Sequence, residues 1–163
     1  SCYFDGKSIH QNVVSLGYIL MDEASGNYFG KRLIRDYYYK KMPQKMAQKF
    51  EADFNLDADF IKKNLYREPD PNAYLATFAK FMLENKEEQY IQLLMKKGFE
   101  KFFQYRILPY QKGTETPIYF IGSIAHYFRD ILEKVAQSYG LNITDVIQRP
   151  IDNLIEFHKT NDV

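Results

Sequence analysis

The chain has 163 residues, of which 45% are hydrophobic and 26% charged, ordinary values for one domain or one lobe of a larger protein. Its formal net charge of +1 argues against nucleic acid as a partner, since a polyanion favours a clear positive excess. No apolar stretch approaches the roughly 18 residues of a membrane span, and no signal segment opens the sequence. Cys2 is the only cysteine, which excludes an intrachain disulfide and a CxxC pair. We therefore expect a soluble cytoplasmic protein with neither nucleic acid nor membrane as a partner.

Residues 1–20 have the pattern of an antiparallel meander of three short strands. Asp5-Gly6 is a strong hairpin signal between the first two strands, and the second is predicted to continue from Asn12 to Val14. The apolar run from Leu16 to Leu20, interrupted by Gly17, is predicted as the third strand. The sequence opens inside a strand, so we expect a further lobe upstream of it.

The next part of the chain, 23–107, is predicted to be helical. Apolar residues recur at helical spacing in each segment, and proline or aspartate stands at several of the predicted starts. The predicted helices are 23–40, one from Pro43 to about 54, one capped by Asp57 and, after a break at Pro69 and Pro71, 72–85 and 87–106. Residues of about 41–108 would form a large helical insertion.

The remainder of the chain reads as β-α-β-α. After a loop over 108–116, the apolar run 117–121 predicts a strand buried on both faces. A helix over 124–139 ends at Gly140, and a strand over 143–148 leads to a last helix from Pro150. The order predicts an α/β fold in which an antiparallel meander and parallel strands share one mixed sheet, with the helical insertion after the third strand.

A first candidate motif runs from Gly17 to Gly26 and contains two adjacent carboxylates, Asp22 and Glu23, at a helix start. In one interpretation Asp22 caps the helix and Glu23 favours its positive end. In the other, Asp22 lies at the carboxyl end of a strand, where ligands of open α/β sheets bind. A carboxylate in that place can accept two hydrogen bonds from vicinal sugar hydroxyls.

A second candidate motif is the apolar strand that ends in Gly122-Ser123 before a helix. Glycine lets a flat or anionic ligand approach the backbone, and the helix start offers unpaired N–H groups. The alternative is an ordinary strand-to-helix turn, which is common and by itself carries no function.

Taken together and in this order, the two motifs resemble those of a known family. The chain is similar to the C-terminal domain of N-acetylglucosamine kinases and of the benzoyl-CoA reductase activator type of ATPase, within the superfamily of sugar kinases, actin and heat-shock ATPases. Those kinases carry Gly-Asp-Glu-Gly-Ser after a strand and, later, an apolar strand ending in Gly-Gly or Gly-Ser. The matching residues here are Met21 to Ser25 and Gly122-Ser123. The resemblance covers essentially the whole chain and implies a ribonuclease H-like fold.

The resemblance also implies roles for individual residues. The segment Ser15-Leu16-Gly17 and Asp22 would line the sugar site, and Gly122-Ser123 would lie against the adenosine of ATP. The second phosphate loop would precede Ser1, and the catalytic aspartate and first phosphate loop belong to the N-terminal lobe. The implied activity is ATP- and Mg²⁺-dependent phosphorylation of N-acetylglucosamine or glucosamine at the C6 hydroxyl, and this chain alone should be inactive. The expected partners are the amino sugar, ATP and the N-terminal lobe, with a homodimer as a further candidate.

Two departures from the family motif keep other functions open. Met21 and Ala24 stand where the family usually has glycine, which suits a non-catalytic scaffold that has kept the kinase shape. An ATPase that activates a reductase or dehydratase is a second alternative, but it would need cysteine thiolates for an iron–sulfur cluster. The three histidines show no metal-ligand spacing, so we expect no metal site built from them.

Overall fold

The computed structural model describes residues 1–110 and 116–161, and helices dominate this part of the chain. The α-helices are α1 (Gly26–Tyr38), α2 (Gln44–Asp53), α3 (Ala58–Tyr66), α4 (Pro71–Thr77), α5 (Ala79–Glu84), α6 (Gln89–Phe102), α7 (Ser123–Tyr127), α8 (Arg129–Ser138) and α9 (Pro150–Asn161). The strands are β1 (Tyr3–Phe4), β2 (Ile9–His10), β3 (Tyr119–Ile121) and β4 (Asp145–Ile147). A π-helical turn (Phe103–Ile107) and a 3₁₀ turn (Leu108–Tyr110) follow α6. Across the described ranges, no helix combines the length and the apolar character that a membrane span requires.

The helices share an apolar core that is rich in phenylalanine. The fully buried ring of Phe50 lies 5.0 Å from that of Phe81 and 5.6 Å from that of Phe78, in tilted or edge-on arrangements that aromatic rings favour. Helix α1 packs closely along α4. A Cβ at Gly30 would lie 1.9 Å from the carbonyl oxygen of Leu75, so a glycine is required where these two helices meet.

The predicted three-stranded meander is wrong beyond its first hairpin. β1 and β2 pair antiparallel around Asp5-Gly6, as predicted. Residues 12–14 leave the hairpin instead, and the Val13 amide donates to the Tyr110 hydroxyl at 3.0 Å. Among the described residues, 16–20 pair with no strand: residues 18–20 form a turn, and Leu16, Ile19 and Leu20 are exposed. Among the described residues the strands form two separate two-stranded sheets, so the single mixed sheet is not observed.

Several helix predictions are confirmed, with two additional breaks. Asp57 caps α3, its carboxylate accepting from the amides of Asp59 and Phe60. The predicted helices 72–85 and 124–139 are each divided in two, at the buried residues Phe78 and Phe128. In the predicted loop 108–116, residues 108–110 form the 3₁₀ turn, and residues 111–115 lie outside the described ranges.

The predicted parallel pair is confirmed. β3 and β4 pair in parallel, with Phe120 opposite Val146. Phe120 is 8% exposed, whereas its neighbours Tyr119 and Ile121 are 60% and 62% exposed, so the expectation that the strand is buried on both faces is wrong. Helix α8 ends as predicted at Gly140, whose φ of +71° suits a glycine that closes a helix.

The contact between α1 and α4 yields a test of the fold. We expect Gly30→Ala to lower the free energy of unfolding by about 1–3 kcal/mol or more, because the added methyl meets backbone that cannot move aside. Gly26→Ala is the matched control, since its methyl would lie 3.4 Å from the Ala76 Cβ. The control should change the free energy by less than about 1 kcal/mol. Urea unfolding followed by circular dichroism measures both, and equal effects would contradict the packing described.

Candidate functional site

The residues predicted to bind sugar lie on one loop directly before α1. The Ser15 hydroxyl donates to the Met21 carbonyl at 3.3 Å, and the Met21 amide donates to the Gly17 carbonyl at 2.9 Å. These two bonds close residues 15–21 into a loop, and Gly17 has a φ of +88° that favours glycine. Ser15, Leu16 and Gly17 are exposed, while Asp22 is half-buried. The loop thus presents its polar groups and backbone to solvent beside the Asp22 carboxylate.

Asp22 does not cap α1, so that interpretation of the motif is wrong. The cap is Ser25, whose Oγ accepts a hydrogen bond from the Tyr28 amide at 3.1 Å. The Asp22 carboxylate instead accepts, at Oδ2, a hydrogen bond from the side-chain amide of Asn27. Since Ser25 satisfies the helix start, the structure gives Asp22 no capping function.

Glu23 forms a buried ion pair with Arg106, which lies on the π-helical turn. Its Oε2 is 3.0 Å from the Arg106 Nε, and the two side chains are 14% and 5% exposed. A buried pair of this kind fixes the two segments together, because either charge left alone in the interior would be strongly unfavourable. π-Helical turns are frequent at functional sites, and this one holds the segment that carries Asp22.

Ala24 has a backbone conformation that explains the glycine of the family motif. Its φ of +60° is in the left-handed region, which glycine adopts without steric cost. The chain therefore keeps at Ala24 the conformation that a glycine would allow. The other departure, Met21, has its amide and carbonyl engaged in the loop hydrogen bonds, with its side chain half-buried.

The second motif forms the turn between β3 and α7. Gly122 has a φ of +126°, and its amide donates to the Ile147 carbonyl of β4 at 2.9 Å. A Cβ built at Gly122 would meet no atom within 4 Å, so the space above its backbone is open. Ser123 follows as the exposed first residue of α7. This geometry leaves the backbone accessible to a flat ligand, as the sequence predicted, although binding itself stays a prediction.

The two motifs are connected through the π-helical turn. Arg106 on this turn binds Glu23, and Phe103 on the same turn packs against Phe120 of β3, with ring centroids 5.9 Å apart. Sequence reasoning missed Arg106, which lies 83 residues from Glu23, and no local signal could have identified it. It also missed Asn27, whose partner Asp22 lies five residues earlier and outside the helix.

The described ranges contain no group of three or more His, Cys, Asp or Glu side chains placed to hold a metal ion. Cys2 is exposed and unpaired. The polar groups of the two motifs offer hydrogen bonding through carboxylate, hydroxyl and backbone groups.

Comparison with known proteins identifies a relative for this arrangement. No family model and no curated protein matches the chain. A crystal structure from Porphyromonas gingivalis, titled as that of a "Putative N-acetylglucosamine Kinase", matches with a TM-score of 0.89 and 34% sequence identity. The match covers 99% of this chain and 57% of that protein. The resemblance predicted from the two motifs is therefore confirmed: over nearly its whole length the chain is similar to the C-terminal half of this N-acetylglucosamine kinase-like protein.

Proposed function

We propose that the chain is the C-terminal lobe of an ATP-dependent sugar kinase that phosphorylates N-acetylglucosamine or glucosamine at the C6 hydroxyl. The observation that carries the proposal is the match to the Porphyromonas gingivalis protein, at 34% identity over 99% of the chain. Because the chain spans 57% of that protein, the proposal assigns the remaining machinery, including the catalytic aspartate, to an N-terminal lobe.

In this proposal the loop before α1 contacts the sugar. Asp22 is half-buried and held by Asn27, and a carboxylate so placed accepts hydrogen bonds from vicinal hydroxyls with charge-assisted strength. The exposed Ser15-Leu16-Gly17 segment, tied to Met21 by the Ser15 hydroxyl, offers backbone groups beside it. A hydrogen-bonding carboxylate of this kind binds and orients the sugar, whereas removal of the proton from its attacking hydroxyl is assigned to the other lobe.

The turn at Gly122 and Ser123 is the proposed contact for the adenosine of ATP. The backbone of Gly122 is uncovered, and the Ser123 hydroxyl stands exposed at the start of α7. ATP supplies the phosphoryl group. Mg²⁺, which aligns the phosphates in such reactions, would be held by the phosphates and the other lobe.

Exposed apolar surface supports a second lobe as the partner. Five apolar side chains near the two motifs are between 60% and 73% exposed: Tyr119 and Ile121 on β3, and Leu16, Ile19 and Leu20 in the loop before α1. Helix α9 likewise exposes Ile151, Leu154, Ile155 and Phe157. Apolar side chains grouped in this way mark surfaces that other protein covers. Closure of a second lobe over the loop before α1 and the turn at Gly122 would exclude water from the reacting groups. Strands of that lobe would complete the ribonuclease H-like sheet.

The two alternatives raised by the sequence have less support. An activator ATPase needs several thiolates for its cluster, and Cys2 is exposed beside the hairpin with no second cysteine in the chain. The scaffold alternative rests on Met21 and Ala24. Ala24 has a left-handed conformation that a glycine also adopts, which leaves only the Met21 side chain in favour of a scaffold.

The division into lobes yields the first functional prediction. The 163-residue chain alone is expected to show no ATP-dependent phosphorylation of N-acetylglucosamine, while the complete protein phosphorylates it. The reason is that the proposal assigns both phosphate loops and the catalytic base to the part of the protein outside this chain. A coupled assay for ADP release measures both. Turnover by the chain alone well above background would contradict the assignment.

We expect Asp22→Asn in the complete protein to weaken N-acetylglucosamine binding by about 1.5–3 kcal/mol, because hydrogen bonds to a charged acceptor are stronger than those to an amide. An asparagine oxygen can still accept from Asn27, so the melting temperature should change little. ATP affinity should also be preserved. Calorimetric titration with each ligand measures these quantities, and an unchanged sugar affinity would remove Asp22 from the site.

Gly122→Val in the complete protein is expected to reduce ATP affinity at least about tenfold, or about 1.4 kcal/mol, because the side chain enters the open space above the backbone. Valine is also strained at a φ of +126°, so a control is required. Gly140→Val places the same side chain at another positive φ, +71°, at the end of α8 and outside both motifs. If both variants melt alike and only Gly122→Val loses ATP affinity, the site is supported; normal ATP binding by Gly122→Val places the nucleotide elsewhere.

A further inference from the structure

Asn27, the second residue of α1, is a buried polar side chain whose hydrogen bonding is only half satisfied. It is 9% exposed, and its Nδ2 donates to the Oδ2 of Asp22. Its own Oδ1 is buried without a hydrogen-bond partner among the described residues. The orientation of the amide follows from chemistry, because an ionised carboxylate only accepts and the NH₂ group must therefore face it.

Capping of α1 does not explain the hydrogen bond between Asn27 and Asp22. Ser25 already caps α1, so neither Asn27 nor Asp22 is required to satisfy the helix start. Buried amide oxygens are nearly always hydrogen-bonded, and a buried one left without a partner costs free energy. Residues that break such a rule are found mostly at functional sites. The arrangement has a simple effect, which is to hold one oxygen of the Asp22 carboxylate in place.

We propose that Asn27 is a positioning residue for sugar recognition and acts through Asp22. This inference rests on the proposed function. The Asn27 amide fixes the Asp22 carboxylate through Oδ2, and no hydrogen bond of the described residues occupies the other oxygen, Oδ1, which is left for a substrate hydroxyl. A carboxylate that is already oriented binds its ligand without the entropic cost of being ordered at that moment.

The test is a double-mutant cycle in the complete protein, with N-acetylglucosamine as the ligand and calorimetric affinity as the readout. Asn27→Ala should weaken sugar binding about tenfold and leave ATP affinity within about twofold. In an Asp22→Asn background, where the charged acceptor is already lost, Asn27→Ala should have less than about a twofold further effect. Sugar KM should rise with little change in kcat, since Asn27 does not touch the reacting atoms.

Asn27→Asp separates hydrogen-bond donation from packing. It keeps the shape of the side chain but places a second carboxylate against Asp22, and this like charge disfavours the arrangement that Asn27 stabilises, so it should weaken sugar binding more than Asn27→Ala does. If Asn27 only fills space, Asn27→Ala should weaken sugar binding more than Asn27→Asp, because alanine leaves the larger void. Asn85→Ala is the matched control: the Asn85 amide is half-buried and bonds to the Phe81 carbonyl and to Lys49, so its loss should affect melting and not sugar affinity.

The outcomes distinguish this inference from the proposed function. If the complete protein does not bind N-acetylglucosamine at all, the proposed function fails; if it binds the sugar but Asp22→Asn leaves the affinity unchanged, Asp22 lies outside the site and the role of Asn27 fails with it. If Asp22→Asn weakens binding but Asn27→Ala does not, or if the two effects simply add, the proposed function stands and the positioning role is overturned. Loss of sugar affinity in Asn27→Ala that disappears in the Asp22→Asn background supports it.

Discussion

The buried ion pair between Glu23 and Arg106 is the interaction on which the arrangement of both motifs depends. It joins the segment before α1 to the π-helical turn across 3.0 Å, with both side chains almost completely removed from solvent. The same turn carries Phe103, whose ring packs on Phe120 of β3, the strand that leads to Gly122. One short turn therefore positions the candidate sugar loop on one side and the candidate nucleotide turn on the other.

Around this ion pair, neighbouring residues of the first motif each have a different structural role. Ser25 caps the start of α1, Ala24 turns the backbone through a left-handed conformation, and Asn27 holds Asp22. Because other residues cap the helix and turn the backbone, the Asp22 carboxylate accepts a side-chain hydrogen bond at one oxygen only, Oδ2, among the described residues. That is the state expected of a group which binds a ligand and does not maintain the fold.

Local signals predicted much of this structure, and long-range contacts account for what they missed. Asp57 and Gly140 are cap residues whose chemistry is readable from a few neighbours, and the strand before Gly122 was equally clear. The run 16–20 is as apolar as a strand, but nothing in the sequence shows that it lacks a partner to pair with. Arg106 could not be predicted either, because its partner Glu23 is 83 residues away. The resemblance predicted Asp22 and Gly122 as site residues, while their surroundings could be described only from the fold.

The central claim is that sugar and nucleotide bind at two separate motifs held together by one turn. Amide hydrogen exchange of the complete protein, measured with N-acetylglucosamine and with a non-hydrolysable ATP analogue in turn, tests it most directly. The account predicts that the sugar slows exchange within residues 15–28 and that the nucleotide slows exchange within 120–127. Protection by both ligands confined to α2 and α3, with these two segments unchanged, would contradict it.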